Sequence, residues 1–289
     1  MADEFTLDFL GIGVVKSGTT WLANCLREHP EIYLPQQKEI FFFDYNKLGS
    51  NYSRGFRWYK KYFKNASNGK KKGEFTAHYM FSPESCGLIH KHMPNIKLIA
   101  CLRRPDEMLY SFYWWKKANH DFRNCASTFE KELVRDREML KRGLYYKQLK
   151  PYFEIFHRKD IKIIFYNDIK SNPSKVLKDV YTFLGVRGSF KPSVFREKIN
   201  RAKTVRYKPP ADLLKMGLSV IKRMGMRRLA NDLVSNTRLW MIYSAINKKN
   251  FIYPDISVVT KKKLVKYYES DIRKLEKLLG VSLGIWLKY

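Results

Sequence analysis

The segment from Gly13 to Thr20, GVVKSGTT, has the glycine spacing of a phosphate-binding loop. Gly13 and Gly18 reproduce the interval between the glycines of the GxxxxGK[ST] pattern, and Thr20 reproduces its final hydroxyl. The lysine is displaced, because Thr19 occupies its usual position while Lys16 lies inside the loop. Backbone amides in such a loop can still enclose an oxyanion. The pattern therefore predicts an anion site, but for a group other than the β- and γ-phosphates of ATP.

The flanking residues predict a strand before this loop and a helix after it. Residues 5–15, FTLDFLGIGVV, are rich in β-branched and aromatic side chains, which is typical of a buried parallel strand. Beyond the loop, apolar residues recur at helical spacing until Pro30, and these are Trp21, Leu22, Cys25 and Leu26. A phosphate-binding loop requires this strand, loop and helix order, although an ordinary tight turn between a strand and a helix would show it as well.

A second predicted strand places an arginine near the loop. Residues 96–102, IKLIACL, form this strand, and Arg103 follows it directly. Pro105 suits the first turn of a helix, and Ser111 lies about two turns beyond Arg103 along that helix. Ligands of an open parallel sheet bind at the carboxyl ends of its strands, so Arg103 and Ser111 are candidates for a second anion site. The alternative is that Arg103 only solvates a strand end.

The rest of the chain alternates strands with helices. Residues 161–166, IKIIFY, predict a third strand, and residues 65–73 predict a polar loop. Further helices are expected over residues 131–142, 145–157, 173–184 and 260–279. This alternation predicts an α/β fold with a central parallel sheet flanked by helices on both faces.

The chain is strongly basic, with 56 Lys and Arg against 27 Asp and Glu and a formal net charge of +29. A charge of this sign attracts polyanions, among them nucleic acid, acidic glycans, anionic lipids and highly charged nucleotides. No apolar stretch reaches the roughly 18 residues of a membrane span, and the acidic N-terminus lacks the apolar segment of a signal peptide. We therefore expect a cytoplasmic protein. The four cysteines form no CxxC pair, which disfavours a structural zinc site.

Three motifs resemble those of the sulfotransferases that use 3′-phosphoadenosine 5′-phosphosulfate. GVVKSGTTWL resembles the loop that binds the 5′-phosphosulfate, and LRRPDEMLYSFYWW resembles the element that binds the 3′-phosphate. KEIFFFD, residues 38–44, resembles the KExHFFD segment of bacterial and glycan-modifying members. The resemblance implies a P-loop-NTPase-like sulfotransferase fold. It also implies a single domain over residues 1–289, with residues 200–255 as an acceptor-side or lid insertion.

The resemblance assigns most of the candidate residues to binding of the sulfuryl donor. Lys16 would lie against the bridging oxygen of the phosphosulfate and stabilise the charge that develops there. Arg103 and Ser111 would hold the 3′-phosphate, and Tyr166 would contact adenine. The remaining residues implied in donor binding are Ser17, Gly18, Thr19, Thr20, Trp21, Arg201 and Lys203, of which the last two would close over the 3′-phosphate or form a solvated basic loop. No metal is implied.

The acceptor hydroxyl needs a general base, for which there are two candidates. Glu39 matches the glutamate of KExHFFD, which is the base in related glycan sulfotransferases. Its alternative role is that of a surface carboxylate paired with Lys38. His78 lies near the position of the catalytic histidine in cytosolic sulfotransferases, one residue out of register. Its alternative role is that of a packed, hydrogen-bonded histidine.

The sequence therefore predicts transfer of a sulfuryl group, by in-line displacement, to a hydroxyl of a sugar or another natural product, including an anionic one. A P-loop nucleotide kinase is one alternative, but it would need a lysine at position 19 and a carboxylate for Mg²⁺. A non-enzymatic module that binds nucleic acid or an anionic surface is another. Such a module would account for the charge but not for the loop, so nucleic acid is not the expected partner. The sequence does not indicate an oligomeric state.

Overall fold

A sheet of five strands forms the centre of the structure, a computed structural model that describes residues 5–44, 51–119, 125–196, 203–205, 219–220, 248–250 and 253–289. The strands are β1 (Phe9–Gly13), β2 (Ile32–Tyr33), β3 (Lys71–Phe75), β4 (Lys97–Leu102) and β5 (Ile161–Phe165). They lie in the order β2-β3-β1-β4-β5, and each pair of neighbours is parallel. The carboxyl ends of all these strands therefore meet at one edge of the sheet.

At least one α-helix lies between each strand of this sheet and the next along the chain. The α-helices of the described chain are α1 (Thr19–Glu28), α2 (Gly55–Lys60), α3 (Ser85–His92), α4 (Pro105–Asn119), α5 (Phe129–Arg135), α6 (Arg137–Lys141), α7 (Tyr145–Ile155), α8 (Tyr166–Ser171), α9 (Pro173–Leu184) and α10 (Val258–Leu279). The α/β architecture predicted from the sequence is confirmed.

Capping residues set the ends of α9. The Asn172 side chain accepts a hydrogen bond from the Lys175 amide, and Pro173 occupies the first turn, where its missing amide hydrogen costs nothing. Gly185 ends the helix with a φ of 72°, which glycine adopts without strain. The predicted helix over residues 173–184 is confirmed at both ends.

The sheet is buried on both faces, as parallel sheets usually are. Ile99 and Cys101 belong to a hydrophobic cluster that includes the apolar sides of α1 and α9. Leu98, Ala100 and Leu102 alternate with them along β4 and are likewise without solvent exposure. Burial on both faces explains why β4 reads as a continuous apolar run.

The polar loop predicted over residues 65–73 is wrong at its end, because β3 begins at Lys71. The Asp8 carboxylate accepts a hydrogen bond from the Lys72 amide at 2.8 Å and pairs with the Lys71 ammonium at 3.0 Å. These contacts fix two polar residues to the start of β1. Asp8 and Lys72 are 64 residues apart in the chain, so their contact cannot be recognised from the residues near either one.

The single helix predicted over residues 131–142 is also wrong, because the structure has two. The Asp136 side chain accepts a hydrogen bond from the Met139 amide, so it ends α5 and starts α6. Aspartate competes with the helical backbone in this way because its carboxylate reaches amides two or three residues ahead.

The described residues fall into two compact units. One is drawn from residues 1–113, 126–199 and 256–289 and contains the five-stranded sheet, and the other is drawn from residues 114–125 and 200–255. The second contains β6 (Lys203–Val205) and β7 (Lys248–Asn250), which pair in antiparallel orientation. That the whole chain forms one domain remains a prediction. Within the described residues, no helix is long and apolar enough to cross a membrane.

Candidate active site

The loop between β1 and α1 lies at the carboxyl edge of the sheet. The Val14 amide donates to the Cys101 carbonyl of β4 at 2.8 Å, which fixes the loop to the neighbouring strand. Lys16 has a φ of 62°, a left-handed conformation that costs a non-glycine residue about 1–2 kcal/mol. Strain of this kind persists where the surroundings enforce it, and functional loops are common examples.

Gly18 is required at the start of α1 by both its backbone and its neighbours. Its φ is 90°, and a Cβ atom there would lie 2.7 Å from Ile169 Cδ1 and 3.3 Å from Tyr166 Cδ2. Both neighbours belong to α8, which therefore packs directly against the loop. The Ser17 side chain is fully buried beside it, and its hydroxyl donates to the Val15 carbonyl at 3.4 Å.

Lys16 carries its ammonium into a partly desolvated position. Burial, followed by the charges of Arg103 and Lys38, lowers its pKa from 10.5 to about 8. Cations that repel one another in a low-dielectric setting are unfavourable unless an anion lies among them. The arrangement therefore suits a ligand that carries several negative charges.

Arg103 is held directly beside the loop. Its Nη1 donates to the Lys16 carbonyl at 3.4 Å, and its Cζ lies 4.6 Å from the centre of the Tyr166 ring. The Tyr145 hydroxyl donates to the Arg103 carbonyl at 2.8 Å, and Glu107 pairs with its Nε at 3.1 Å. The structure thus brings Lys16, Arg103 and Tyr166 together at the ends of β1, β4 and β5.

Glu39 is anchored across the carboxyl end of β3. Its amide donates to the Phe75 carbonyl at 2.9 Å, and its Oε2 accepts a hydrogen bond from the Ala77 amide at 2.9 Å. Its Oε1 pairs with the Lys38 ammonium, and its φ is 61°. The pairing with Lys38 anticipated from the sequence is present, but Glu39 is also fixed by the strand end and is only partly exposed.

A buried network that the sequence did not reveal supports this segment. Glu74 is 1% exposed and accepts a hydrogen bond from the Tyr79 hydroxyl. That hydroxyl in turn accepts from the amides of Phe42 and Phe43, at 3.0 and 3.3 Å. Burial raises the pKa of Glu74 to about 7. Glu74 and Tyr79 therefore position the segment that carries Glu39. The sequence feature that could have indicated this network is a glutamate within a strand.

His78 is a packed, hydrogen-bonded residue. It is 6% exposed, and its Nδ1 lies 2.6 Å from Asp44 Oδ2. Its Nε2 lies 3.5 Å from Nη2 of Arg142. Both ring nitrogens thus have partners, as both carboxylate oxygens of Glu39 do, but the Glu39 side chain is 30% exposed and is the more accessible of the two candidates.

The other predicted residues are placed as follows. Ser111 is buried in α4, and the Trp21 indole packs in the core and donates to the Phe195 carbonyl at 3.5 Å. Thr19 and Thr20 form the first turn of α1. Arg201 lies outside the described residues, and Lys203 begins β6 in the other unit. Across the described ranges, no group of three His, Cys, Asp or Glu side chains could hold a metal ion.

Comparison with known proteins identifies the family to which the chain belongs. A family model described as a sulfotransferase domain matches residues 7–208, which is more than half of the chain. The chain belongs to the sulfotransferase family. The family predicted from the two anion-binding motifs is confirmed.

Two curated relatives show how far this sulfotransferase domain is shared. The membrane-associated sulfotransferase kil1 of Dictyostelium discoideum is 37% identical over 119 residues, or 39% of this chain and 24% of the relative. Bifunctional heparan sulfate N-deacetylase/N-sulfotransferase 4 of Mus musculus is 30% identical over 196 residues, or 62% of this chain and 22% of the relative. The chain spans about a quarter of the length of these relatives.

A sulfotransferase from Alicyclobacillus acidocaldarius has a similar solved structure. The TM-score is 0.71 over 98% of this chain and 100% of that one, with 20% sequence identity. Similarity at this level of identity shows the fold alone. It confirms the predicted sulfotransferase fold.

Proposed function

We propose that this protein transfers a sulfuryl group from 3′-phosphoadenosine 5′-phosphosulfate to an acceptor hydroxyl. The observation that carries the proposal is the contact between Arg103 and the Lys16 carbonyl at 3.4 Å, which places two cationic groups from neighbouring strand ends side by side. A donor with phosphosulfate at one end of its ribose and phosphate at the other needs two such anion sites. A nucleoside triphosphate has all its phosphates in one chain and would need only one.

The described residues fit this donor. The positive charges of Lys38 and Arg103 act on Lys16, and the loop presents backbone amides at the start of α1. The Tyr166 ring packs against the Arg103 guanidinium at the same edge of the sheet. We assign the phosphosulfate to the Lys16 loop, the 3′-phosphate to Arg103 and Ser111, and the adenine to Tyr166.

When bound, the donor supplies an activated sulfuryl group. The Glu39 carboxylate takes the proton of the acceptor hydroxyl while the oxygen of that hydroxyl forms a bond to sulfur. The bond from sulfur to the bridging oxygen breaks, and its electron pair leaves with the 5′-phosphate. The Lys16 ammonium stabilises the charge that grows on that oxygen. Position and fixed charge suffice for this step, so we propose no metal.

We propose that the acceptor is a glycan. The mouse relative is named for action on heparan sulfate, and the net charge of +29 favours an acidic partner. The segment of residues 38–44 that carries Glu39 resembles that of glycan-modifying members. The proposed acceptor group is a hydroxyl, and chemical analysis of the sulfated product would distinguish it from an amine.

The test compares two nucleotides by thermal shift. Adenosine 3′,5′-bisphosphate should raise the melting temperature, because a ligand that binds only the native state stabilises it. ATP with Mg²⁺ should have little effect, and EDTA should leave sulfuryl transfer to glycan unchanged. Stabilisation by ATP with Mg²⁺ alone would indicate a kinase. Stabilisation by DNA or anionic vesicles, with neither nucleotide active, would indicate a binding module.

A further inference from the structure

We propose that Arg142 binds an acidic group of the acceptor, a carboxylate or a sulfate, beside the hydroxyl that is modified. This inference rests on the proposed sulfuryl transfer and identifies the chemical class of its acceptor. Arg142 lies between α6 and α7, was not a candidate from the sequence, and has no part in donor binding as assigned above.

Two aromatic rings hold the Arg142 guanidinium. Its Cζ lies 4.2 Å from the centre of the Phe81 ring and 4.8 Å from that of Phe112. Contacts of this kind attract a cation to the ring face and restrict its side-chain torsions. The guanidinium is therefore oriented before any ligand binds, which lowers the entropy lost on binding.

His78 contacts one N–H group of this guanidinium. Asp44 Oδ2 lies 2.6 Å from His78 Nδ1, so the ring donates from Nδ1 and presents the Nε2 lone pair to Arg142 Nη2 at 3.5 Å. A guanidinium has five N–H donors, and this contact uses one of them.

The remaining donors of Arg142 are available to a ligand. Among the described residues, Arg142 forms no ion pair with a carboxylate. None of its nitrogen atoms belongs to the buried side-chain atoms that lack a hydrogen bond, so its unused N–H groups reach solvent. Burial lowers the pKa of Arg142, although the guanidinium stays charged. The carboxylates of Asp136, Asp44 and Glu138 act on the guanidinium through their charge without forming an ion pair with it, so an anionic ligand would add direct charge-assisted hydrogen bonds.

Its position fits the acceptor rather than the donor. Arg142 contacts His78, and the preceding residue, Ala77, donates its amide to Glu39 Oε2 at 2.9 Å. Consecutive residues are about 3.8 Å apart, so Arg142 and the proposed base lie against the same short segment. A sugar could present a hydroxyl to Glu39 and an acidic substituent to Arg142.

The experiment measures binding with two matched glycans. One is an oligosaccharide that contains glucuronate, and the other is the same oligosaccharide with its carboxyls reduced to alcohols. We expect the wild-type protein to bind the acidic form about tenfold to a hundredfold more tightly, as expected for charge-assisted hydrogen bonds. Arg142→Gln should remove this preference. Lys141→Gln is the matched control, because Lys141 is exposed, pairs with Glu138 and carries the same charge.

Several results would overturn the proposal. Equal binding of both glycans by the wild-type protein would do so without any variant. If Arg142→Gln does not fold, Arg142→Lys keeps the charge without the planar fork, and an undiminished preference there would also contradict the proposal. A variant that weakens adenosine 3′,5′-bisphosphate as strongly as the glycan would place Arg142 at the donor. Because glycan binding is measured without nucleotide, failure of donor binding would refute the proposed function separately.

Discussion

Arg103 and Glu107 form an ion pair one helical turn apart, with 3.1 Å between Arg103 Nε and Glu107 Oε2. The Glu107 side chain is 40% exposed, whereas Arg103 is 18% exposed. In the proposed function, the same guanidinium binds the 3′-phosphate of the donor. The carboxylate and the phosphate therefore compete for Arg103.

Glu107→Gln should consequently tighten the binding of adenosine 3′,5′-bisphosphate. An exposed ion pair contributes roughly 0.5–1 kcal/mol, so the dissociation constant should fall about two- to fivefold. Titration calorimetry measures the change. Glu138→Gln removes the same charge from an exposed pair elsewhere and serves as the control. Weaker binding by Glu107→Gln would mean that Glu107 orients Arg103 instead of competing for it.

Glu39→Gln should abolish most transfer while leaving nucleotide binding intact. Loss of a general base costs about 10²- to 10⁴-fold in rate. His78→Asn should keep far more activity, because both nitrogens of His78 contact Asp44 and Arg142. Single-turnover transfer of labelled sulfate gives both rates. An active Glu39→Gln with an inactive His78→Asn would reverse the assignment.

The rate should fall at alkaline pH as Lys16 loses its proton. Burial and the charges of Arg103 and Lys38 lower the pKa of Lys16 to about 8. Above that pH the ammonium becomes a neutral amine and no longer stabilises the leaving oxygen. The kcat/KM for the donor reports ionisations of the free enzyme, so it should decline as pH rises through about 8.

Lys16→Arg is the control for this pH profile. Arginine stays charged throughout the range, so the decline should disappear even if the variant is slower overall. A decline that persists in Lys16→Arg would assign the ionisation to another group.

The fold was predictable where the chain is apolar and the turns carry local signals. β1 is apolar throughout, β4 and β5 each contain one lysine among apolar residues, and α9 has capping residues at both ends. β2 has two residues, and β3 begins with Lys71 and Lys72, which bind the Asp8 carboxylate through the Lys71 ammonium and the Lys72 amide. Elements that depend on such tertiary contacts cannot be read from local composition.

The residues of the site likewise fall into those that could be identified from the sequence and those that could not. Lys16 and Arg103 could be identified because each directly follows a strong strand, and the topology then brings them together. Arg142 could not, because its partner His78 is distant in sequence. Arg142 and His78 are 64 positions apart in the chain.

Gly18→Ala should destabilise the protein more than Gly185→Ala. Both glycines have a left-handed φ, of 90° and 72°, so both variants carry the same kind of backbone strain. At Gly18 the new methyl would also lie 2.7 Å from Ile169 Cδ1, whereas nothing lies within 4 Å at Gly185. The overlap should add about 1–3 kcal/mol to the loss of unfolding free energy. Urea denaturation measures the free energy of unfolding of both variants. Equal losses would show that α8 moves away from the new methyl without loss of stability.

The central claim is that Arg103 recognises a phosphate separate from the group bound by the Lys16 loop. Binding of adenosine 3′,5′-bisphosphate and of AMP should be compared by calorimetry in the wild-type protein, in Arg103→Ala and in Arg104→Ala. Arg104 is the matched control, because it follows the same strand and pairs with Asp106. We predict that wild type and Arg104→Ala prefer the bisphosphate about tenfold to a hundredfold, and that Arg103→Ala loses this preference with AMP binding unchanged. Equal weakening of both nucleotides by Arg103→Ala would contradict the account.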